Sequence, residues 1–231
     1  MAAAGSGERL GAGGPKALVE VAGRPLIDWS LEALRASGAV DAVVIAAPPG
    51  HERELERLAG QRAGSLGEPG AFHPIVVTGG ATRAASVGLA LAETPADAEL
   101  CLVHDAARPL VVPTLIEALV DRLSAQPQAA GAIAAAPLTD TVKRADGDAV
   151  GETVDRSELW AAQTPQAFRT EILREAHSAD SELVAAATDD AMLVERLGGR
   201  VLIEPAPPEN LKVTTRADLL LAELMLRERS G

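Results

Sequence analysis

The chain has 231 residues, which suffices for one α/β domain with a sizeable core and is short for two domains. Hydrophobic residues make up 47% and charged residues 23%, a mixture that excludes disordered and fibrous proteins. The formal net charge of −12 argues against a nucleic-acid partner, because proteins that bind nucleic acids usually present a basic surface. We therefore expect one folded domain, residues 1–231.

Short apolar runs alternate with helical patterns along the chain. Five runs are predicted to be buried strands: Ala42–Ala47, Ile75–Thr78, Leu100–Val103, Gly131–Ala136 and Val201–Glu204. Four apolar stripes predict helices: Ile27–Leu31–Leu34, Ala84–Val87–Leu91, Leu115–Leu119–Leu123 and Leu220–Leu221–Leu224. Pro25 and Pro113 suit first-turn positions, and Gly38 suits a helix end.

This alternation predicts an α/β fold with a mostly parallel sheet, helices on both faces, and ligands outside the carboxyl ends of the strands. One polar stretch, residues 139–156, interrupts the pattern. Its Asp146-Gly147 pair predicts the turn of a hairpin arm that projects from the body, a kind of element that often makes subunit contacts. The first strand is expected to be short, since a glycine-rich loop begins at Gly5.

The compartment is predicted from what the sequence lacks. No run approaches the roughly 18 apolar residues of a membrane span, and Met1–Ala4 does not resemble a signal peptide. The single Cys101 cannot form an internal disulfide and is expected to be a small core residue. We expect a cytoplasmic protein without a membrane partner.

Its four histidines are scattered without ligand spacing, so a zinc site is not expected.

The segment 3–16 holds five glycines together with Arg9 and Lys16, which combines close backbone approach with fixed positive charge. This combination predicts a phosphate-binding loop. Pro15 precedes Lys16 and no Gly-Lys-Ser/Thr follows, so the loop is not a Walker A motif, and Leu10 breaks the dinucleotide fingerprint. A flexible surface loop is the alternative.

Three further sites are weaker signals. Gly79-Gly80, followed by Ser86, lies between a predicted strand and a helix and could meet a base or phosphate, or could only make the turn. Asp105 follows the next strand and could hold a ribose hydroxyl or a magnesium ion, or could cap backbone groups. Lys212 follows a proline-rich loop and by itself is typical of a solvated lysine.

In this order, the motifs closely resemble those of the 2-C-methyl-D-erythritol 4-phosphate cytidylyltransferase family, which uses CTP in the non-mevalonate isoprenoid pathway. The likeness spans nearly the whole chain. The matching segments are 3–10 with 15–16, 79–86, 103–109, 140–143, 153–156, 159–166, 188–191 and 210–214. Two positions depart from the family pattern: the strand before Ala3 is short, and Ala81 replaces a residue that is often acidic, so one base or ribose contact is expected to be absent.

The resemblance implies a Rossmann-like three-layer α/β/α fold and a homodimer that exchanges its arms. It also implies formation of a CDP-alcohol from CTP and a phosphorylated sugar alcohol, with release of pyrophosphate, dependent on Mg²⁺ or another divalent cation.

The implied catalytic residues are Arg9, Lys16 and Lys212. The implied CTP-binding residues are Ala3, Ala4, Gly5, Ser6, Gly7, Gly79, Gly80, Ser86 and Asp105. The implied acceptor-binding residues are Asp105, Arg108, Thr141, Arg156, Thr164 and Thr188, with Arg156 reaching the partner subunit's site. Asp105 is also the implied protein ligand of the metal, which the triphosphate mainly holds.

Alternative functions remain open from the sequence. A related transferase could use ribitol 5-phosphate or another sugar phosphate, because the triphosphate motifs are shared across that broader group. A catalytically silent nucleotide-binding protein and an inactive fragment are alternatives of another kind. Retention of Arg9, Lys16 and Lys212 favours an enzyme.

Overall fold

The computed structural model describes residues 1–11, 13–65, 68 and 70–230. Ala12 of the predicted glycine-rich loop and Gly231 of the predicted domain lie outside these residues. The strands are β1 (Glu20–Val21), β2 (Arg24–Pro25), β3 (Ala42–Ala47), β4 (His73–Thr78), β5 (Leu100–Val103), β6 (Gly131–Pro137), β7 (Val142–Asp146), β8 (Ala149–Val154), β9 (Trp160–Arg169) and β10 (Val201–Pro205). The helices are α1 (Leu26–Ser37), α2 (Glu52–Arg62), α3 (Arg83–Ala92), α4 (Pro113–Ser124), α5 (Thr170–His177), α6 (Ser181–Ala185), α7 (Asp190–Arg196) and α8 (Arg216–Ser230). Single 3₁₀ turns lie at Glu8–Leu10 and Lys16–Leu18.

The central sheet has two parts that meet at the start of the chain. Strands β3 and β4 pair in parallel, and the second part has the order β10-β6-β9-β5. Strand β10 is parallel to β6, whereas β9 runs antiparallel to both β5 and β6. Ala2 lies between the two parts and makes a parallel bridge to Ala46 and another to Asp105. The predicted mostly parallel sheet is therefore confirmed, with β9 as an unpredicted antiparallel strand.

Helices cover both faces of the sheet. On one face α1 packs against α2 and α4, and α4 packs on β6, β9 and β10. On the other face α3 packs on β3 and β4 and contacts α5 and α6, while α5 packs on α7. This arrangement is the three-layer α/β/α architecture that the sequence predicts. Within the described ranges, no helix combines the length and the apolar character needed to cross a membrane.

All five predicted strands are present, and β3 and β5 have the predicted ends. Strand β4 begins two residues earlier than predicted, at His73, and β6 and β10 each extend by one residue, to Pro137 and Pro205. The predicted arm is a hairpin of β7 and β8 whose turn contains Gly147 at φ 60°. Most of its residues are exposed.

One helix buries a different face from the predicted one. Leu220, Leu221 and Leu224 of α8 are 62%, 45% and 57% exposed, whereas Ala222 and Leu226 are buried. The buried side of α8 joins a cluster with Leu10, Leu26, Leu110 and Val213. The predicted stripe was wrong because leucine occupies adjacent positions in this helix, so that only the packing partner selects the buried side.

The first three residues form a short central strand segment, as expected. The Met1 ammonium donates to the Val44 carbonyl at 2.6 Å, and the Ala46 amide donates to the Met1 carbonyl at 3.0 Å. Next to Met1, a cavity of about 950 Å³ lies between β3 and β5 and is lined largely by apolar side chains. No lysine or arginine is among the described residues that line it.

Candidate active site

A cleft of about 480 Å³ opens at the carboxyl ends of the central strands. It brings together the two glycine-rich segments and four cations: Arg9 and Lys16 from the first segment, Arg83 from the second, and Lys212, which is distant from both in sequence. Its lining residues include Ala3, Ala4, Gly5, Ser6, Gly7, Arg9, Lys16, Gly80, Ala81, Arg83, Ser86, Asp105 and Lys212. Gly79 precedes this lining directly, so the residues predicted to bind the nucleotide meet at one place.

The first glycine-rich loop is closed by its own backbone. The Lys16 amide donates to the Gly5 carbonyl at 3.0 Å, which makes the two ends of the loop neighbours. Gly7 has φ 73°, a conformation that side chains other than glycine rarely adopt, and it starts the turn that contains Arg9. Leu10 is buried and fixes the loop to the core. These contacts hold Arg9 and Lys16 on the same side of the cleft.

The second glycine-rich segment is held by hydrogen bonds at the start of α3. The Gly79 amide donates to the Ala47 carbonyl at 2.7 Å. Thr82 caps the helix by accepting from the Ala85 amide at 3.1 Å, and the Ser86 hydroxyl accepts from the Gly80 amide at 3.1 Å. The N-terminus of α3 therefore faces the cleft, where its amide groups favour an anionic or polar ligand.

Asp105 is the carboxylate of the cleft, and it is 6% exposed. Its Oδ1 accepts from Arg83 Nε at 2.9 Å and its Oδ2 accepts from Lys212 Nζ at 2.6 Å. Burial alone would raise its pKa, but Arg83 and Lys212 hold the pKa of Asp105 well below its usual range. Asp105 is thus ionised, and its side chain pairs with cations instead of capping the backbone. From its local sequence, Lys212 was predicted to be a solvated lysine; its side chain is partly exposed but also pairs with Asp105.

Lys16 is a half-buried cation among other cations. Within the described part of the chain, its ammonium group makes no hydrogen bond or ion pair. Burial, followed by the nearby Lys212 and then Arg9, outweighs the attraction of Asp105 and lowers the pKa of Lys16 to about 8. The cleft therefore holds unbalanced positive charge, which an incoming polyanion can neutralise.

Of the residues predicted to bind the acceptor, Asp105 lines this cleft in the single chain and the other five do not. Thr141, Arg156 and Thr188 are exposed, and Arg156 donates to the Thr139 carbonyl at the base of its own arm. Arg108 and Thr164 are buried behind Asp105.

Buried polar groups support Asp105 from behind. The Thr164 hydroxyl accepts from the Asp105 amide at 3.0 Å, so it can donate to His104 Nδ1 at 3.3 Å. His104 Nε2 can then donate to Ser30 at 3.3 Å. Because burial lowers the pKa of His104 to about 3, this ring is neutral, so one ring nitrogen can accept a hydrogen bond while the other donates one. The Arg108 guanidinium donates to the Asn210 carbonyl at 2.6 Å. These contacts fix the loop that carries Asp105.

Three site-related residues were not predicted as such: Arg83, Asp190 and His177. His177 Nε2 and an oxygen of the Asp190 carboxylate form a hydrogen bond at 2.9 Å, and Asp190 also pairs with Arg83 at 2.8 Å. The sequence signals were that Arg83 and Asp190 lie in motifs of the family resemblance, at 79–86 and 188–191.

The carboxylates of the cleft suit a metal ion that binds together with a phosphate ligand. In the described ranges, no three or more His, Cys, Asp or Glu side chains cluster as a metal site. Two carboxylates are among the described residues that line the cleft, Glu8 and Asp105. Magnesium typically binds through one or two carboxylates together with substrate phosphates, so Asp105 suits a magnesium ion held mainly by a triphosphate.

Known proteins match nearly the whole chain. The family model described as 2-C-methyl-D-erythritol 4-phosphate cytidylyltransferase matches residues 1–228. Proteins of that name from Saccharopolyspora erythraea and from Synechococcus sp. strain WH7803 are 45% and 41% identical; the alignments cover 97% and 99% of this chain and 96% and 98% of theirs. The crystal structure of the enzyme of that name from Thermus thermophilus superposes with a TM-score of 0.73 at 36% identity, covering 94% of this chain and 96% of that one. With its Rossmann-like fold and its cationic cleft, the chain belongs to the 2-C-methyl-D-erythritol 4-phosphate cytidylyltransferase family.

Proposed function

We propose that the cleft between the two glycine-rich segments transfers CMP from CTP to 2-C-methyl-D-erythritol 4-phosphate and releases pyrophosphate. The observation that carries this proposal is the convergence of Arg9, Lys16 and Lys212 on one cleft beside the N-terminus of α3. The cations suit the triphosphate, and the segment from Gly79 to Ser86 suits the base. Family membership gives the nucleotide and the acceptor.

The reaction needs positioning more than proton transfer. The phosphate of the acceptor is already an anion at neutral pH, so its oxygen can attack the α-phosphorus of CTP without a general base. The bond from the α-phosphorus to the bridging oxygen breaks, and pyrophosphate leaves with the electron pair. Arg9, Lys16 and Lys212 would stabilise the charge that moves to this leaving group. A magnesium ion bound with CTP would screen the two anions from each other, with Asp105 as its protein ligand.

The charge of Lys16 makes CTP capture depend on pH. Because its pKa in the free enzyme is about 8, Lys16 is protonated below that pH and loses its charge above it. We expect kcat/KM for CTP to fall as the pH rises through 8, by up to about tenfold per unit. The measurement is the pH profile of kcat/KM, with Lys16→Arg as the control, since arginine stays charged throughout. A wild-type profile as flat as that of the arginine variant would contradict this role.

We further propose a homodimer whose arms are exchanged, working in the cytoplasm. The β7–β8 hairpin supports the dimer, since an isolated two-stranded hairpin is only marginally stable in water. Val150 on this arm is 64% exposed. Arg156 at the base of the arm does not line the cleft of its own chain and would serve the partner's site. The free Cys101 is consistent with a reducing compartment.

Subunit mixing tests the exchange. Lys16→Ala and Arg156→Ala homodimers should each be nearly inactive. In a mixed dimer, one site would combine both changes and the other would be wild type, so statistical mixing should restore about a quarter of wild-type activity. No recovery on mixing, with dimers confirmed by sedimentation, would mean that Arg156 does not act in the partner's site.

The choice of acceptor is tested directly. Pyrophosphate release is measured with CTP and magnesium, and with 2-C-methyl-D-erythritol 4-phosphate and ribitol 5-phosphate in turn. We expect release with the first acceptor and much slower release with the second. Preference for ribitol 5-phosphate would reassign the substrate, and release with neither acceptor would favour a catalytically silent nucleotide-binding protein.

A further inference from the structure

One guanidinium is shared between two buried carboxylates at the edge of the cleft. Arg83, the first residue of α3, donates from Nε to Asp105 at 2.9 Å and from Nη1 to Asp190 at 2.8 Å. An arginine and a carboxylate often form a bidentate pair that engages both oxygens. Here Arg83 engages one oxygen of Asp105, and the other oxygen accepts from Lys212 at 2.6 Å.

Asp190 lies behind the cleft and is not among its lining residues. Its side chain is 1% exposed, and its second oxygen pairs with His177 Nε2 at 2.9 Å. His177 is the last residue of α5 and its side chain is 5% exposed, so Asp190 and the ring that it contacts are both held within the core. Although burial alone would raise the pKa of Asp190, His177 and Arg83 keep it below the usual range.

This geometry restrains how Arg83 can approach Asp105. If Asp190 did not hold the far end of the guanidinium, Arg83 could turn and bind both oxygens of Asp105. Lys212 would then lose its partner, and neither oxygen of Asp105 would remain available on the side where the nucleotide and its metal would lie. The charge on Asp190 therefore determines how much of the charge on Asp105 remains available to the cleft.

We infer that Asp190 is a positioning residue for nucleotidyl transfer: it holds Arg83 so that Asp105 keeps one oxygen for Lys212 and the substrates. This inference rests on the proposed function, because the step it serves is transfer at this cleft. A purely structural role, a buried ion pair that contributes only to folding, is the alternative.

The test is a double-mutant cycle on the full chain, with kcat, KM for CTP and the unfolding midpoint measured for each variant. We expect Asp190→Asn to lower kcat about tenfold while KM changes less than about threefold, the size of coupling found within one charged network. In an Arg83→Gln background, the same change should lower kcat less than about twofold, because the residue through which it acts is gone.

Asp189→Asn is the matched control. Asp189 caps α7 by accepting from the Met192 amide at 3.0 Å and does not contact Arg83. Asparagine is also a good cap, so this variant removes a neighbouring charge while it keeps the helix end. We expect its kcat to stay within about twofold of wild type.

Arg83→Lys keeps the inference testable if Asp190→Asn fails to fold. Lysine retains the charge but has a single nitrogen, which cannot reproduce the separate Nε and Nη1 contacts of Arg83 with the two carboxylates, so we expect kcat to fall about as much as in Asp190→Asn. The inference is overturned by a full kcat in Arg83→Lys, by a kcat in Asp190→Asn equal to that in Asp189→Asn, or by an equal loss with and without Arg83. Absence of pyrophosphate release from the wild-type chain with either acceptor would instead reject the proposed function, so the two failures are distinguishable.

Discussion

Replacement of Lys16 by alanine lowers turnover by roughly a hundredfold or more, the scale of losing one preorganised charge-stabilising donor. The reason is geometric: Lys16 lines the cleft and no described carboxylate pairs with it, so its charge is free to act on the triphosphate. The pKa of Lys16, lowered to about 8, indicates that burial and the neighbouring cations disfavour its charged form. A bound polyanion would offset this unfavourable free energy. Steady-state pyrophosphate release with saturating substrates measures the effect.

The same variant should fold normally. Removing a half-buried cation that lies near Lys212 and Arg9 relieves repulsion, so the unfolding midpoint should be unchanged or higher. Arg57→Ala is the matched control, since it removes an exposed cation from α2, far from the cleft lining, and should leave turnover unchanged. Near-normal turnover in Lys16→Ala would remove Lys16 from the mechanism.

Replacement of Gly79 by alanine raises KM for CTP by about tenfold or more, because overpacking here moves both glycine-rich segments. A Cβ at this position would lie 2.4 Å from Ala4 Cβ, 2.9 Å from the Ala47 carbonyl and 3.1 Å from Ser86 Oγ. Real side-chain contacts do not come so close, and two of these neighbours belong to the segments that form the cleft. The turn at Gly79 must therefore shift away from Ala4, and the cleft changes shape.

The Gly79→Ala variant should therefore show both a higher KM for CTP and a lower free energy of unfolding. Overpacking of this kind costs typically about 1–3 kcal/mol in the free energy of unfolding. Gly60→Ala is the control, since Gly60 lies inside α2, a methyl group added there would meet no atom within 4 Å, and alanine favours a helix. A Gly79→Ala enzyme that has unchanged KM and unchanged unfolding would show that the two segments are not packed as described.

The unpredicted strand β9 shows where local sequence signals mislead. Its sequence contains Pro165 between polar residues, and proline within a run argues against a central strand. In the structure, the β6–β9 register is irregular between Ile133 and Ala135, opposite the stretch that contains Pro165. The ladder is interrupted where proline cannot donate, so the strand is tolerated. Helix α2 was also not predicted, and the short helices α5, α6 and α7 were missed because each offers too few residues for a clear apolar period.

The sequence by itself determined five of the strands, the arm and the two glycine-rich segments that line the cleft. A strand buried on both faces is a continuous apolar run, and a turn needs particular residues, so both signals are local. The tertiary structure alone decided which charges meet. Arg83 and Asp190 are 107 residues apart, as are Asp105 and Lys212, and no local pattern marks either pair. Such ion pairs form because burial makes an unpaired charge costly, and the fold selects which distant partner satisfies it.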